Sequence, residues 1–169
     1  MESSQTENYY DIIAAAYPEL HREEQLRKLR IISGLISPKP WEKMLDVGCG
    51  PAYSADVFDC LITGVDPSRK LLEQGSHNSN FTPVLGVAES LPFPDSSFDY
   101  VISVTAIQNF SDIRRAVSEM WRVARSLVVV SCLARSMKLS EVRAELRRRF
   151  IIEKEIIEGH DIIFLLRKI

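Results

Sequence analysis

Met44-Leu45-Asp46-Val47-Gly48-Cys49-Gly50-Pro51-Ala52 is the stretch on which the fold turns. A short apolar run that meets a carboxylate and then Gly-x-Gly reads as a strand entering a tight turn that opens a helix. Gly48 and Gly50 are able to take positive φ in such a turn, which brings backbone N–H groups close to a ligand. Asp46 is expected at the carboxyl end of that strand, where open α/β sheets bind their ligands, and its charge suits a cationic group. The plainer alternative is a tight strand-to-helix connection without a ligand.

Downstream the same rhythm continues. Short apolar runs predict strands over 43–47, 61–65, 83–87, 98–104, 127–132, 151–158 and 162–167, with helices over 53–60, 68–76, 112–124 and 139–150. Runs such as Leu127 to Val130 are apolar throughout, as parallel strands covered on both faces are. The last two runs are separated only by Gly159 and His160, too few residues for a crossover helix, so they form an antiparallel hairpin. The expected fold is therefore α/β: a Rossmann-like, seven-stranded, mostly parallel sheet with a C-terminal antiparallel hairpin and helices on both faces. Upstream, residues 7–36 read as helical in two pieces broken near Tyr17 and Pro18, the second placing Leu26, Leu29 and Ile32 on one stripe. Ser37-Pro38-Lys39-Pro40 punctuates, which divides the chain into a helical segment 1–42 and a core 43–169.

The 169 residues are 46% apolar and 26% charged with a formal net charge of -2, the composition of one globular domain and not of a disordered chain. No apolar stretch reaches the length of a membrane span, and MESSQTENYY lacks the basic and apolar regions of a secretory signal, so a cytoplasmic location is expected. Cys49, Cys60 and Cys132 are odd in number and scattered, as are His21, His77 and His160. Neither set implies a disulfide framework or a metal.

A dinucleotide fingerprint needs a third glycine where this chain has Tyr53. With Asp46 beside the turn, the arrangement favours a nucleoside that carries an amino acid over NAD. Asp66, in Gly64-Val65-Asp66-Pro67-Ser68, ends the second strand and suits ribose hydroxyls, or else caps the next helix, a task Ser68 performs equally well.

Asp46-Val47-Gly48-Cys49-Gly50-Pro51, then Gly64-Val65-Asp66-Pro67-Ser68, then Ala88-Glu89-Ser90-Leu91-Pro92-Phe93-Pro94-Asp95 resemble the successive motifs of class I S-adenosylmethionine-dependent methyltransferases, in the manner of the type 11 methyltransferase domain. The resemblance runs over 43–123. It implies S-adenosylmethionine as methyl donor, with Asp46, Gly48, Cys49 and Gly50 on its methionine part, Asp66 and Pro67 at the ribose, and Ala88 and Glu89 near the adenine. It further implies Thr105 and Tyr17 as cofactor contacts, and residues 1–42 as a lid in which Tyr9, Tyr10, Tyr17 and His21 are the candidates.

The chain departs from the family pattern at Ala52, where a third glycine is common, and at Val87, where an Asp often reads the adenine amino group. Acceptor residues in the family follow the fourth strand, here Ser103-Val104-Thr105-Ala106-Ile107-Gln108-Asn109-Phe110. The segment has neither Asn-Pro-Pro-aromatic nor Pro-Cys, which speaks against adenine N-methylation and against covalent attack on a pyrimidine. Gln108 and Asn109 remain, one expected to touch the acceptor and the other to cap the following loop, with Tyr10 as a third acceptor-side candidate. Methyl transfer needs chiefly alignment and exclusion of water, so no catalytic residue is assigned.

Between Arg114 and Arg149 ten Arg and Lys stand against three Glu, +7 in a chain of net charge -2. Such asymmetry fits an RNA surface through Arg143, Arg147, Arg148 and Arg149, or equally a solvated helix whose C-terminal cations offset its dipole. Ile102 to Gln108 resembles the matching segment of small-subunit ribosomal RNA guanine-N7 methyltransferases, and Leu91 to Asp95 that of quinone and other small-molecule methyltransferases, so the acceptor stays open between RNA and a small molecule. A cofactor-binding, non-catalytic subunit or regulator of a partner enzyme is the alternative function, and a homo-oligomer or a partner subunit is the assembly expected beside either.

Overall fold

The computed structural model describes residues 17–75 and 77–169. At its centre β1 (Lys43–Val47) runs parallel to β2 (Leu61–Asp66) on one side and to β4 (Phe98–Val104) on the other. β3 (Phe81–Leu85) pairs in parallel with β2 and forms one edge. Beyond β4 lie β5 (Ala124–Leu133), parallel to it, then β7 (Asp161–Lys168) and β6 (Phe150–Glu158), joined as the expected antiparallel hairpin. The order β3-β2-β1-β4-β5-β7-β6 reverses direction between β1 and β4, which opens a crevice at their carboxyl ends.

Alternation along the strands divides the core between the two faces. Leu45 and Val101 join one apolar cluster with α3 (Ile113–Val123) and α4 (Leu139–Arg149), while Met44 and Ile102 join the other with α1 (Tyr17–Ile36). The inner face of α3 is Ile113, Ala116, Val117, Met120 and Val123, a helical stripe wholly buried. The Rossmann-like reading of the sequence is thus the architecture of the molecule, helices on both faces included. Among the described residues no helix is long and apolar enough to cross a membrane.

Three expectations need correction. The helix expected over 53–60 is only a 3-10 turn, Tyr53–Asp56. The amide of Asn78 donates to the Ala55 carbonyl (2.9 Å), and that of Asn80 to the carbonyls of Phe58 and Cys60 (3.0 and 2.9 Å), so the acceptors of a longer helix are already engaged. The third strand lies at Phe81–Leu85 and not at 83–87; Val87 turns back to bridge Ser90. Pro83 is tolerated because β3 is a sheet edge. The helix expected over 68–76 contracts to α2 (Arg69–Gln74), capped by the Ser68 hydroxyl, which accepts from the Leu71 N–H at 3.2 Å. Of the expected N-terminal helix pair, α1 is the second piece; the first, with Tyr9 and Tyr10, lies outside the described residues.

Candidate functional site

The glycine turn after β1 is held from below. The N–H groups of Gly48 and Cys49 both donate to the Val65 carbonyl, at 2.7 and 3.0 Å, and the Gly50 N–H donates to Asp66 Oδ2 at 2.8 Å. Gly48 (φ 73°) and Gly50 (φ 52°) take the left-handed conformation expected of them, and so does Ala52 (φ 62°). At Gly48 a Cβ would lie 2.7 Å from the Ala106 Cβ, so the turn presses directly on the segment that follows β4.

Asp66 Oδ1 also accepts from the Ser68 N–H at 2.9 Å, while the Ser68 hydroxyl caps α2. The division of labour left open by the sequence is therefore resolved: Ser68 closes the helix, and the Asp66 carboxylate closes the glycine turn and lines a cavity of about 740 Å³. Gly48, Gly50, Pro67, Ala88, Glu89 and Thr105 line the same cavity, and so do Gln108 and Asn109. His21, Glu24 and Gln25 form a wall from α1, and Leu133, Arg135 and His160 close the end beside β5 and β7.

Asp46 and Cys49 stand apart from the other expected cofactor residues. They line a much smaller adjoining space with Tyr53 and Ser54. Asp46 Oδ2 accepts from the Ser54 hydroxyl at 2.6 Å, and burial pushes its carboxyl up to about 7 against that hydrogen bond, with the neighbouring Asp66 adding to the rise. Tyr17 is the first residue of α1, and its side chain lies outside the description. Glu89 is committed elsewhere in part. Its Oε1 accepts from the Ser111 N–H and hydroxyl (2.8 and 3.0 Å) and from the Asp112 N–H (3.3 Å), just ahead of α3.

Gln108 is buried, and its Nε2 donates back to the Thr105 carbonyl at 3.1 Å. The loop that follows is held instead by Glu89 and by Asp112, which caps α3 through the Arg115 N–H, so neither Gln108 nor Asn109 has the expected capping role. Asn109 is exposed at the cavity mouth.

A group of residues that the sequence reading passed over surrounds Thr105. Lys28 Nζ lies 2.5 Å from Thr105 Oγ1 and 3.2 Å from Asp161 Oδ1, with Lys28 and Asp161 at 1% and 0% exposure. The signal was present in α1: Lys28 stands four residues before Ile32 and next to Leu29, on the buried stripe.

Of the four arginines expected at an RNA surface, three turn to partners in the chain. Arg143 pairs with Glu155 (3.0 Å) and lies over Phe164, Arg148 pairs with Glu145, and Arg149 lies over Trp121. Among the described residues no cluster of three metal-ligating side chains occurs.

The cavity fits the cofactor implied by the motifs. Its size lies in the range that encloses most of a nucleoside-sized ligand, and its lining combines backbone at the glycine turn with the acceptor-only carboxylate of Asp66. Residues 45–131, just over half of the chain, match the family profile described as a methyltransferase domain. The demethylmenaquinone methyltransferase of Anoxybacillus flavithermus is 32% identical over 127 residues, which cover 68% of this chain and 51% of that protein. The chain thus spans about half the length of the curated relatives it matches. Magnesium protoporphyrin IX methyltransferase of Synechocystis, solved with bound S-adenosylmethionine, superposes with a TM-score of 0.83 at 12% identity, covering 100% of this chain and 98% of its own. The Haloferax volcanii methyltransferase solved with the Trm112 methyltransferase activator superposes at 0.84 and 13% identity, covering 96% and 97%. At such identities these two bear on the fold alone. Motifs, sheet order, crevice and family profile agree: the chain belongs to the class I S-adenosylmethionine-dependent methyltransferases, the family whose methyl donor is S-adenosylmethionine.

Proposed function

We propose that this chain transfers the methyl group of S-adenosylmethionine to a small-molecule acceptor that enters the Gln108, Asn109 and His160 end of the cavity. The observation that carries the reading is continuity: one cavity of about 740 Å³ joins Asp66 and the glycine turn to Gln108, Arg135 and His160. The bound cofactor supplies an electrophilic methyl on a sulfonium centre. Asp66 accepts from the ribose hydroxyls, the Gly48 to Gly50 turn, its own N–H groups bonded to Val65 and Asp66, lets backbone without side chains approach the amino-acid part, and Ala88 lines the adenine end. The acidic lining from Glu24, Asp66 and Glu89 favours a cationic ligand. Asp46 acts from behind the turn, through Ser54. No base is assigned, because an acceptor that is already nucleophilic needs only alignment and a dry cavity.

A small acceptor is favoured over RNA because Arg143, Arg148 and Arg149 are engaged within the chain. The demethylmenaquinone methyltransferase relatives point the same way. Labelled methyl from the cofactor should enter the metabolite fraction of a cell extract and yield S-adenosylhomocysteine. Label recovered in RNA alone would replace this reading with the nucleic-acid one. A second reading, a chain active only beside a partner subunit, draws on the fold shared with the Trm112-bound methyltransferase. Turnover that appears only after a copurifying protein is restored would establish it.

A further inference from the structure

We propose that Lys28 is a positioning residue for the cofactor crevice, acting through Asp161 and Thr105; the inference rests on the reading of Thr105 as part of the cofactor wall. Thr105 stands at φ 53°, a conformation that a β-branched residue adopts only when its surroundings over-determine it. The surroundings do so from three other elements. Its hydroxyl accepts from Lys28 of α1 at 2.5 Å and donates to Asp161 Oδ2 of β7 at 2.7 Å, and its N–H donates to the Ser131 hydroxyl of β5 at 2.8 Å. Ser131 in turn donates to Asp161 Oδ2 at 3.0 Å. Lys28 also lies 3.7 Å from Glu24, a residue of the cavity wall.

What Thr105 holds, it passes to both ends of the cavity. Its carbonyl anchors Gln108, and the next residue, Ala106, abuts Gly48 of the glycine turn. Release of the Thr105 hydroxyl therefore moves the cofactor side and the acceptor side together. Stability alone is a poor reason for this pair. A buried ion pair is commonly matched by apolar residues of the same volume, and the α1 stripe around Lys28 carries Leu29, Ile32 and Ile36, with the neutral Gln25 as its other polar member. A buried charge on that stripe makes sense where its hydrogen bond to Thr105 is needed.

The test is calorimetric titration of S-adenosylhomocysteine into the full chain and its variants. Lys28→Met is expected to raise Kd about tenfold or more, since small misplacements at a site cost that much. Ile36→Ala, a destabilising control on the same stripe and away from the crevice, should lower Tm and leave Kd within about twofold. Thr105→Gly accepts the left-handed conformation without the tether, so Lys28→Met added to it should cost far less affinity than in the native chain. If Lys28→Met does not fold, the Lys28→Met, Asp161→Asn double variant, which leaves no lone buried charge, takes its place with the same expected loss. A folded variant of either kind with native Kd overturns the proposal. Asp66→Ala reports on the crevice itself: native affinity there would withdraw the cofactor assignment whatever the Lys28 variants do.

Discussion

The Ser54 hydroxyl donates to Asp46 Oδ2 at 2.6 Å, and both residues are buried behind the glycine turn. The bond joins the end of β1 to the 3-10 turn, and it explains why a carboxylate persists where little water reaches. Burial pushes the Asp46 carboxyl from 3.8 to about 7, because one hydroxyl donor offsets only part of the lost hydration.

That rise makes stability depend on pH with a definite sign. The folded state binds the Asp46 proton between about 4 and 7 and the unfolded state does not, so this group's contribution is full below its unfolded value, falls as pH rises through the window, and is flat above it. Asp46→Asn removes the effect. Urea unfolding at pH 5 and pH 8 should show the native chain losing a few kcal/mol relative to the variant across that interval. A constant difference between the two proteins would place the Asp46 carboxyl near its ordinary value.

Gln108 tests the acceptor side. Its Nε2 must donate to the Thr105 carbonyl, so Gln108→Glu sets an acceptor against an acceptor at 3.1 Å and turns the side chain away. Turnover is expected to fall about tenfold or more while the Kd for S-adenosylhomocysteine changes little. Equal losses in both would put Gln108 on the cofactor instead.

How far the site was legible follows from what each residue answers to. Asp46, Gly48, Gly50 and Asp66 lie on one short stretch each, where local turn chemistry and strand ends speak directly, and β1 and β4 were expected at the bounds they have. Lys28, Ser131 and Asp161 meet at Thr105 only through the sheet order, which places β5 beside β4 and β7 beside β5, with α1 packed against β4. No local pattern encodes that meeting, although a lysine on a buried helical stripe is a signal in itself. The 3-10 turn at Tyr53–Asp56 was hidden for the same reason, since the amides of Asn78 and Asn80 that cut the helix short come from more than twenty residues away.

Ser37 offers a gain in stability without contact with the crevice. It follows α1 in the left-handed conformation (φ 42°), exposed, with its N–H donating to the Ser33 carbonyl at 2.9 Å. Glycine adopts that conformation without steric cost and keeps the backbone bond, so Ser37→Gly should stabilise by about 0.5–1 kcal/mol. Denaturant titration showing a loss would mean that the weak Ser37 hydroxyl contact to Ser33 outweighs the backbone strain.

Gly64 separates packing from binding. It lies mid-strand in β2 without positive φ, yet a Cβ there would sit 2.5 Å from Phe81 Cζ and 2.7 Å from Cys49 Sγ. Gly64→Ala must push both aside, with about 1–3 kcal/mol lost to overpacking. The two contacts differ in consequence: both side chains belong to the apolar cluster under α1, but Cys49 is also part of the glycine turn. Phe81→Leu added to Gly64→Ala relieves the ring contact and should restore much of the stability, while the displaced Cys49 keeps the affinity for S-adenosylhomocysteine low. Stability and affinity recovering together would show that the turn tolerates movement of Cys49 without loss of the crevice it frames.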